Sequence, residues 1–510
     1  MTSSAKPRSA TLRQLMAAGA DTAPAIGAPG TAALTYDGLR ALVERTIATL
    51  NSFGIGRNDR VAIVLPNGPD MASAFIAIAS GATAAPLNPS YKADEFEFYM
   101  SDVKAKALVV ESGSTSPAIA VAAKLEMTII TLHPEHAKGA GCFRLSAPGA
   151  AGACTTGFAE PDEIALILHT SGTTSRLKIV PLSQRNVSVS AGNIAETLAF
   201  TAMDCGLTIM PLFHIHGLIA GTLAPLSAGG RVFCTSGFDA LKFFGWMDEA
   251  KPTWYTAVPT MHQAILTRAP RNKEIIARNP LRFTRSSSSS MPPQVIAELE
   301  RVFGAPLIES YGMTEASHQM ASNPLNGVRK PGAVGLAAGP EVAIMGDGGV
   351  LLQPGEIGEI VIRGDNVTRG YENNPSANAS AFTNGWFRTG DQGVMDKDRY
   401  VSLTGRLKEI INRGGEKISP REVDEILMDH PAVRQVVVFA MPHEKLGEEV
   451  AAAIVLREGS AANEKELREF CSQRLAPFKV PRKIVFLEQI PLGATGKLQR
   501  IGLAEKLGLA

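Results

Sequence analysis

The sequence predicts an α/β fold with two parts: a large N-terminal domain of layered α/β subdomains plus a small β-rich subdomain, and a small, mobile C-terminal α+β domain. Three observations lead to this prediction. A chain of 510 residues is too long for one ordinary hydrophobic core. From residue 40 to about residue 400, apolar β-type runs alternate with helical patterns, as in layers built on a largely parallel sheet. After Thr404 the pattern starts again.

The N-terminal elements begin with the apolar run RVAIVLP. This run, Arg60–Pro66, predicts a buried strand, and Met71–Ser80 predicts a helix packed beside it. Further strands are predicted at Ala107–Glu111, Met127–Leu132, Ile164–Leu168, Gly206–Met210 and Arg231–Cys234. Between residues 342 and 363, short strands separated by glycine turns indicate the small β-rich subdomain.

The C-terminal domain begins with GRLKEIINRGGEKISP, which predicts a strand, a Gly-Gly turn and a helix start. Ser419 can cap this helix, with Pro420 at its first position and Glu422 in its first turn. The elements that follow are a helix at Pro420–Met428, strands at Val433–Phe439 and Val450–Val455, a helix at Asn463–Leu475 and a strand at Lys483–Leu487. We therefore expect an N-terminal domain of residues 1–404, a hinge at 405–408 and a C-terminal domain of residues 409–510.

The composition excludes several functional classes. A net charge of +1 argues against bulk attraction to nucleic acid or to an anionic membrane, and no apolar run is long enough to span a bilayer. The five cysteines are scattered without CxxC or Cys/His spacing, which favours free thiols in a reducing compartment over a structural metal site. The segment MTSSAKPRSATLRQLMAAGA is followed by no apolar signal region. We expect a cytoplasmic monomer or homodimer that binds neither nucleic acid nor membrane.

A loop rich in hydroxyl groups follows the strand predicted at Ile164–Leu168. It runs through Thr170, Ser171, Gly172, Thr173, Thr174 and Ser175 and ends with Arg176 and Lys178. Backbone N–H groups freed by glycine, hydroxyls and two cations are suitable donors to phosphate. The loop lacks the spacing of a Walker A motif, and alone it is equally well explained as a Ser/Thr turn with an exposed basic pair.

Other short motifs supply the rest of a nucleotide site. In SYGMTE, Tyr311 offers an aromatic face for a base, and Glu315 offers a carboxylate for Mg²⁺. Asp391 in a TGD segment suits ribose hydroxyls, Arg406 lies at the expected hinge, and Lys497 lies in a loop flanked by glycine. Each motif alone could be a surface turn, but their occurrence in this order favours nucleotide chemistry.

These motifs resemble those of the adenylate-forming enzymes, which include acyl-CoA synthetases, luciferases and peptide-synthetase adenylation domains. The resemblance covers nearly the whole chain and rests on TSGTTSRLK, SYGMTE, GWFRTGD, GRLKEIINRGGEKISP and PLGATGK. Within the family the sequence is most similar to oxalate–CoA ligases, through LNPSYKADEFEFYMSD, HTSGTTSR, PLFHIHGLIAG, WYTAVPTMHQ, YGMTEASHQMASNP and INRGGEKISPREVD. The resemblance implies an AMP-forming acid–thiol ligase that uses ATP, Mg²⁺ and CoA.

The resemblance also implies a role for each matching residue. The implied catalytic residues are Lys497, Glu315, Thr314 and His214, with Glu315 also holding the metal. The implied cofactor-binding residues are Thr170, Ser171, Gly172, Thr173, Thr174, Arg176, Lys178, Ser310, Tyr311, Gly312, Asp391, Arg406, Lys408, Gly414 and Gly415. In this scheme Thr170 to Lys178 form the ATP phosphate loop, Lys408 is the hinge, and Gly414 with Gly415 lines the pantetheine tunnel.

The phosphate loop departs from the family pattern at two positions. The family usually has SRPKG, whereas this chain has Leu177 before Lys178 and Ile179 after it. A β-branched residue excludes positive φ almost entirely, so the loop would be strained if it needed that conformation at Ile179.

The acid is predicted from three segments that the resemblance places at the acyl pocket: FHIHGLIA, SSSSS and ASHQM. A fatty or aryl acid needs a mainly apolar lining. Here polar side chains offer donors for a second carboxylate, which indicates a small dicarboxylate with oxalate first. The expected substrate-binding residues are His214, His216, Ser286, Ser288, His318 and Lys497. Of the donors, His216 ranks highest and Arg285 lowest, because Arg285 could point away from the pocket.

The residues leave other functions open. The acid could be malonate, another short acid or a 4-coumarate-like acid. The enzyme could instead load a carrier protein, although no DSL-type carrier segment follows Lys497. A degenerate, non-catalytic nucleotide binder is a further alternative, against which four residues argue: Glu315, Asp391, Arg406 and Lys497.

Overall fold

The computed structural model describes residues 9–148, 152–170, 177–289, 291–491 and 498–509. Within this part the chain divides into two compact units. The first contains the described residues up to Thr170 together with Lys178–Val342 and Ile362–Phe387. The second contains Ala343–Val361 and the described residues from Arg388 onward. The hinge at 405–408 and the domain limits around it stay a prediction.

A nine-stranded sheet forms one layer of the first unit. Its strands, in spatial order, are Leu336–Ala337, His318–Ser322, Leu307–Met313, Phe283–Ser286, Trp254–Ala257, Cys205–Thr208, Arg231–Cys234, Pro24–Ala28 and Thr31–Thr35. The strands from Leu307–Met313 to Pro24–Ala28 are parallel to their neighbours, and the remaining pairs at the two edges are antiparallel. The predicted, largely parallel sheet is therefore confirmed.

A seven-stranded sheet forms the other layer of the first unit. Its strands, in spatial order, are Phe143–Ser146, Thr128–Pro134, Ala107–Glu111, Arg60–Val64, Thr83–Pro86, Ile164–Thr170 and Lys178–Ser183. Only the two outermost pairings are antiparallel. The inner strands are continuous apolar runs because both faces of a parallel sheet are covered. The strands predicted at Ala107–Glu111 and Arg231–Cys234 have the predicted bounds.

Ile179 belongs to the last strand of this sheet, not to a turn. It pairs with His169 in extended backbone and packs beside Ala85, Val103 and Ile167. A β-branched residue suits such a position. The replacement of the family's usual glycine by Ile179 therefore introduces no strain here.

The helices of the first unit cover the two sheets. They are Leu12–Met16, Tyr36–Ser52, Pro69–Ala79, Ala93–Asp102, Ala118–Lys124, Gln184–Thr197, Ala224–Ser227, Phe243–Ala250, Pro259–Arg268, Lys273–Arg278, Pro293–Phe303 and Pro375–Ala381. Single 3₁₀ turns occur at His136–Lys138, Ala269–Arg271, Thr314–Ala316, Asp347–Gly349 and Pro477–Lys479, and a π-helix at His216–Leu223. In the described part of the chain, no helix has both the length and the apolar character needed to cross a membrane.

Two five-stranded sheets complete the structure. One contains Glu341–Met345, Ile357–Arg363, Phe382–Thr383, Trp386–Met395 and Val401–Arg406. The other contains Ile411–Arg413, Glu416–Ile418, Val433–His443, Gly447–Leu456 and Lys483–Phe486. Helices at Pro420–Met428, Glu464–Ser472 and Leu503–Lys506 belong to the second unit.

The start of the helix Pro420–Met428 differs in one detail from the sequence prediction. Ser419 occupies the N-cap position, but its hydroxyl makes no capping hydrogen bond. The hydroxyl donates instead to the carbonyl oxygen of Thr404. Ser419 therefore ties the helix start to the strand Val401–Arg406 that precedes it in the chain.

One hairpin of the nine-stranded sheet carries several residues of the predicted site. Its strands, Leu307–Met313 and His318–Ser322, are joined by the single turn Thr314–Ala316. Gly312 faces the opposite strand so closely that a Cβ atom there would lie 1.7 Å from the carbonyl oxygen of His318. Only glycine permits this approach of the two backbones.

Gly312→Ala should therefore destabilise the protein strongly. The added methyl group meets backbone, which cannot move without breaking the hairpin, so we expect a loss of about 3 kcal/mol or more in the free energy of unfolding. The measurement is urea denaturation followed by circular dichroism. Gly245→Ala is the matched control, because a Cβ atom there meets nothing within 4 Å. Alanine within the helix Phe243–Ala250 should stabilise it by up to about 1 kcal/mol. An unchanged midpoint for Gly312→Ala would contradict this account of the hairpin.

Candidate active site

Polar side chains lie at the carboxyl ends of the parallel strands in the nine-stranded sheet. Thr256 is near the end of the strand Trp254–Ala257, and Arg285 is near the end of the adjacent strand Phe283–Ser286. Ligands of open α/β sheets bind at such ends, because loops from neighbouring strands converge there. The topology thus assembles a polar cluster at this edge.

Arg285 is the centre of the cluster. Its side chain is fully buried. Nη1 donates to Nε2 of His216 and to Oγ1 of Thr256, each at 3.3 Å. Nη2 donates to Nε2 of His318 and to Oε1 of Gln319, each at 3.1 Å. The guanidinium therefore bonds to four neutral acceptors at once.

The two histidines stack on each other. The ring centroids of His216 and His318 are 4.7 Å apart, with an angle of 19° between the planes. His216 begins the π-helix His216–Leu223, a backbone form that is frequent at functional sites. Its Nε2 lies 2.7 Å from Oγ1 of Thr256, and its Nδ1 lies 3.2 Å from Oγ of Ser288, which is exposed. Ser288 thus marks the side from which this cluster is reached.

Both histidines are neutral near pH 7. Burial, together with the positive charge of Arg285, lowers the pKa of His318 well below 6.5. Burial and the charges of His318 and Arg285 lower the pKa of His216 in the same direction. Burial also lowers the pKa of Arg285, to about 9, so the guanidinium remains charged at pH 7.

The backbone that presents these side chains is strained. Ser288, Ser317 and His318 have φ values of 73°, 50° and 98°, where L-residues are rare. Such strain costs on the order of 1–3 kcal/mol per residue and clusters at functional sites. Hydrogen bonds hold it in place: Oγ of Ser190 donates to the carbonyl of Ser317 at 2.6 Å, and Nδ2 of Asn366 donates to the carbonyl of Gln319 at 3.2 Å.

A second polar group surrounds Glu315, whose side chain is buried. The hydroxyl of Tyr371 donates to Oε1 of Glu315 at 2.9 Å, and that of Thr170 lies 3.5 Å from the same oxygen. Nζ of Lys178 lies 4.3 Å from the centre of the Tyr371 ring. Burial and the Glu315 charge raise the pKa of Tyr371, so its hydroxyl stays protonated as a donor. Carboxylate and hydroxyl oxygens are ligands that suit Mg²⁺.

Of the residues predicted for the nucleotide, those of the first unit lie in the strands already described. Tyr311 is buried within Leu307–Met313, and half-buried Thr314 starts the turn that follows. The hydroxyls of Ser286 and Ser310 are buried, with no hydrogen-bond partner among the described residues. His214 packs its ring against Phe213, with 4.6 Å between centroids.

The predicted residues of the second unit form their own contacts. Nε of Arg406 lies 3.1 Å from Oδ1 of Asp391, and the two residues pair across neighbouring strands. Lys408 is exposed. Gly414 and Gly415 make the predicted two-residue turn with φ values of 59° and 99°, which favour glycine in such hairpins.

Part of the predicted site lies outside the described residues. These residues are Ser171, Gly172, Thr173, Thr174, Arg176 and Lys497. Their roles stay predictions.

The structure corrects the ranking of Arg285. Sequence reasoning placed it last among the donors because it could point away, yet it bonds to both histidines. Thr256, Gln319 and Tyr371 were missed altogether. The charged residue directly before the serine run was a signal for Arg285, and Gln319 follows His318 directly. No signal pointed to Tyr371, which is 56 positions from its partner Glu315.

Comparison with known proteins agrees with this geometry. The family model described as AMP-binding enzyme matches residues 14–372, and that of the AMP-binding enzyme C-terminal domain matches residues 422–497. An oxalate–CoA ligase of Arabidopsis thaliana is 45% identical over 93% of this chain and 94% of its own. One of Saccharomyces cerevisiae is 42% identical, over 88% of this chain and 87% of its own. The crystal structure of ATP-bound MatB from Rhodopseudomonas palustris has a TM-score of 0.86 and 30% identity, covering 98% of both chains.

The buried histidines predict how stability depends on pH. The pKa values of His216 and His318 lie below that of unfolded histidine, near 6.5, so the unfolded chain binds more protons. The contribution of the two neutral histidines to the free energy of unfolding is therefore fully present above about pH 6.5 and is lost as the pH falls below that value. Each can contribute a slope of up to about 1.4 kcal/mol per pH unit.

The free energy of unfolding, measured by urea denaturation, should thus decrease as the pH is lowered from 7.5 to 5. The decrease should be smaller in His318→Asn, which loses one of these groups. Equal slopes in the two proteins would contradict the assignment of His318 as a buried neutral imidazole.

Proposed function

The chain belongs to the AMP-binding enzyme family, and we propose that within this family it is an ATP-dependent oxalate:CoA ligase. In the first step a carboxylate oxygen of oxalate attacks the α-phosphorus of ATP, and pyrophosphate leaves. In the second, the CoA thiol attacks the activated carbonyl, AMP leaves and the thiol proton is released. The products are oxalyl-CoA, AMP and pyrophosphate.

One observation carries the choice of acid: a buried, positively charged polar cluster where the family resemblance places the acyl pocket. A fatty or aryl acid would bury apolar surface against Arg285, His216 and His318, leaving the guanidinium charge uncompensated. A second carboxylate compensates that charge. The names of the Arabidopsis and yeast relatives, at 45% and 42% identity, support the same acid.

The residues around Glu315 fit the Mg²⁺ that accompanies ATP. The Glu315 carboxylate and the Thr170 hydroxyl provide hard oxygen ligands close together. Bound Mg²⁺ supplies positive charge that offsets the negative charge of the phosphates. Tyr371 fixes the orientation of the carboxylate by donating to Oε1. Lys178 is held over the Tyr371 ring, so one end of the phosphate loop is anchored beside the same carboxylate.

The remaining roles follow the family pattern. Asp391, paired with Arg406, would bind the ribose, and Tyr311 would contact adenine. Lys497 would reach the reacting carboxylate and the α-phosphate in the first step. A lysine placed there would crowd the thiol in the second step, so rotation of the C-terminal domain about Lys408 is part of the proposal. Fractionation would test the proposed cytoplasmic location, and sedimentation the monomeric or homodimeric state.

A panel of acids tests the proposed substrate. Pyrophosphate release is measured with ATP, Mg²⁺ and CoA, and with oxalate, malonate or 4-coumarate as the acid. We expect kcat/KM to be highest for oxalate, because the charged cluster selects a compact dianion. Turnover of malonate or 4-coumarate without turnover of oxalate would overturn the proposal. Replacing CoA by a holo-carrier protein tests the carrier-loading alternative, for which we expect no thioester product.

Tyr371→Phe tests the geometry around Glu315. Without the Tyr371 hydroxyl, the Glu315 carboxylate loses a hydrogen bond that fixes its orientation. The Mg²⁺ concentration at half-maximal rate should therefore rise roughly tenfold, while KM for the acid changes little. Tyr36→Phe is the matched control, because the Tyr36 hydroxyl is buried and donates to the carbonyls of Leu226 and Gly230. It should lower stability without changing the Mg²⁺ dependence. An unchanged Mg²⁺ dependence in Tyr371→Phe would remove the role assigned to its hydroxyl.

A further inference from the structure

The guanidinium of Arg285 is a buried cation bonded only to neutral groups. Among the described residues, its acceptors are two imidazole nitrogens, a hydroxyl and an amide oxygen, and none is a carboxylate. Its Nε has no hydrogen-bond partner within the same part of the chain. A buried charge without a counter-ion is costly. The cluster is therefore built to receive an anion.

Arg285 also determines where the histidine protons are. A guanidinium has only donors, so a ring nitrogen that bonds to it must be the unprotonated acceptor. Nε2 is the nitrogen that faces Arg285 in both His216 and His318. Each neutral imidazole must then carry its proton on Nδ1. Thr256 fits this arrangement, because its hydroxyl can accept from Arg285 and donate to Nε2 of His216, 2.7 Å away.

The two Nδ1–H groups are consequently the ring donors that do not bond to Arg285. That of His216 lies 3.2 Å from the hydroxyl of exposed Ser288. Nδ1 of His318 makes no hydrogen bond to any described residue, although its side chain is only 2% exposed. The positive φ of His318, 98°, is part of the backbone conformation that gives this placement.

We propose that Arg285 holds His216 and His318 as neutral Nδ1–H tautomers. These two N–H groups bind the carboxylate group of the substrate that does not react with ATP, and the charge of the guanidinium compensates the charge of that carboxylate. This inference rests on the proposed function. Arg285 is a positioning residue, since it acts through the two rings. The arrangement selects a short dianion: oxamate, which has the shape of oxalate but an amide in place of one carboxylate, leaves the buried cation without a counter-charge.

Isosteric substitutions of His318 test the tautomer. Asparagine places an N–H donor close to the position of Nδ1, whereas glutamine reaches only the position of Nε2. We expect His318→Asn to keep kcat/KM for oxalate within about tenfold of the unmodified enzyme, and His318→Gln to lower it a further tenfold or more, with KM for ATP unchanged in both. A glutamine variant as active as the asparagine variant, or more active, would overturn the inference.

Substitution of Arg285 tests the charge. In Arg285→Met the ratio of kcat/KM for oxalate to that for oxamate should fall at least tenfold, and in Arg285→Lys it should be partly retained. Arg282→Gln is the matched control, because Arg282 precedes the same strand but pairs with Asp204 at a partly exposed position. In the Arg282→Gln variant the ratio of kcat/KM for oxalate to that for oxamate should not change. An equal loss with both acids in Arg285→Met would mean that Arg285 only maintains the fold, and would overturn the inference.

Neutron diffraction of the unmodified protein gives a readout that needs no variant to fold. Deuterium on Nδ1 of both histidines and none on Nε2 is the expected result, and deuterium on either Nε2 would overturn the inference. Failure of the proposed function is distinguishable, because the unmodified enzyme would then release no pyrophosphate with oxalate. If oxalate is turned over but the asparagine and glutamine variants do not differ, only the further inference fails.

Discussion

The buried guanidinium of Arg285 is the constraint on which the proposed acid site depends. A charge in the interior needs hydrogen-bond partners, and here the π-helix and the strands Trp254–Ala257 and His318–Ser322 supply four acceptors. Burial, together with the same positive charge, lowers the pKa of His216 and of His318 and keeps both rings neutral. Arg285 thereby determines how the imidazoles of His216 and His318 are oriented and contributes to keeping each ring neutral.

The hairpin from Leu307 to Ser322 connects the proposed acid site with the proposed nucleotide site. Glu315 and His318 are three positions apart, yet one belongs to the oxygen ligands beside Thr170 and the other to the cluster around Arg285. The close approach at Gly312 and the positive φ values of Ser317 and His318 allow the chain to reverse so tightly. The strain at this turn thus accompanies the placement of the two proposed sites a few residues apart.

Much of the fold was predictable from local pattern, whereas the contacts at the site were not. Continuous apolar runs identified the strands Ala107–Glu111 and Arg231–Cys234, and the Ser-Pro start identified the helix Pro420–Met428. A sheet covered on both faces has no polar side, so alternation could not reveal which way Arg285 points. The hydrogen bond from Tyr371 to Glu315 joins distant parts of the chain and depends on tertiary packing that no local pattern encodes.

The most direct test of the account is a crystal structure of the protein with oxalate and a non-hydrolysable ATP analogue. The account predicts that one carboxylate of oxalate lies within hydrogen-bond distance of Nδ1 of His318 and of Nδ1 of His216, while the other faces the α-phosphate. Oxalate bound with both carboxylates away from these rings, or a protein carboxylate bonded to Arg285, would contradict it.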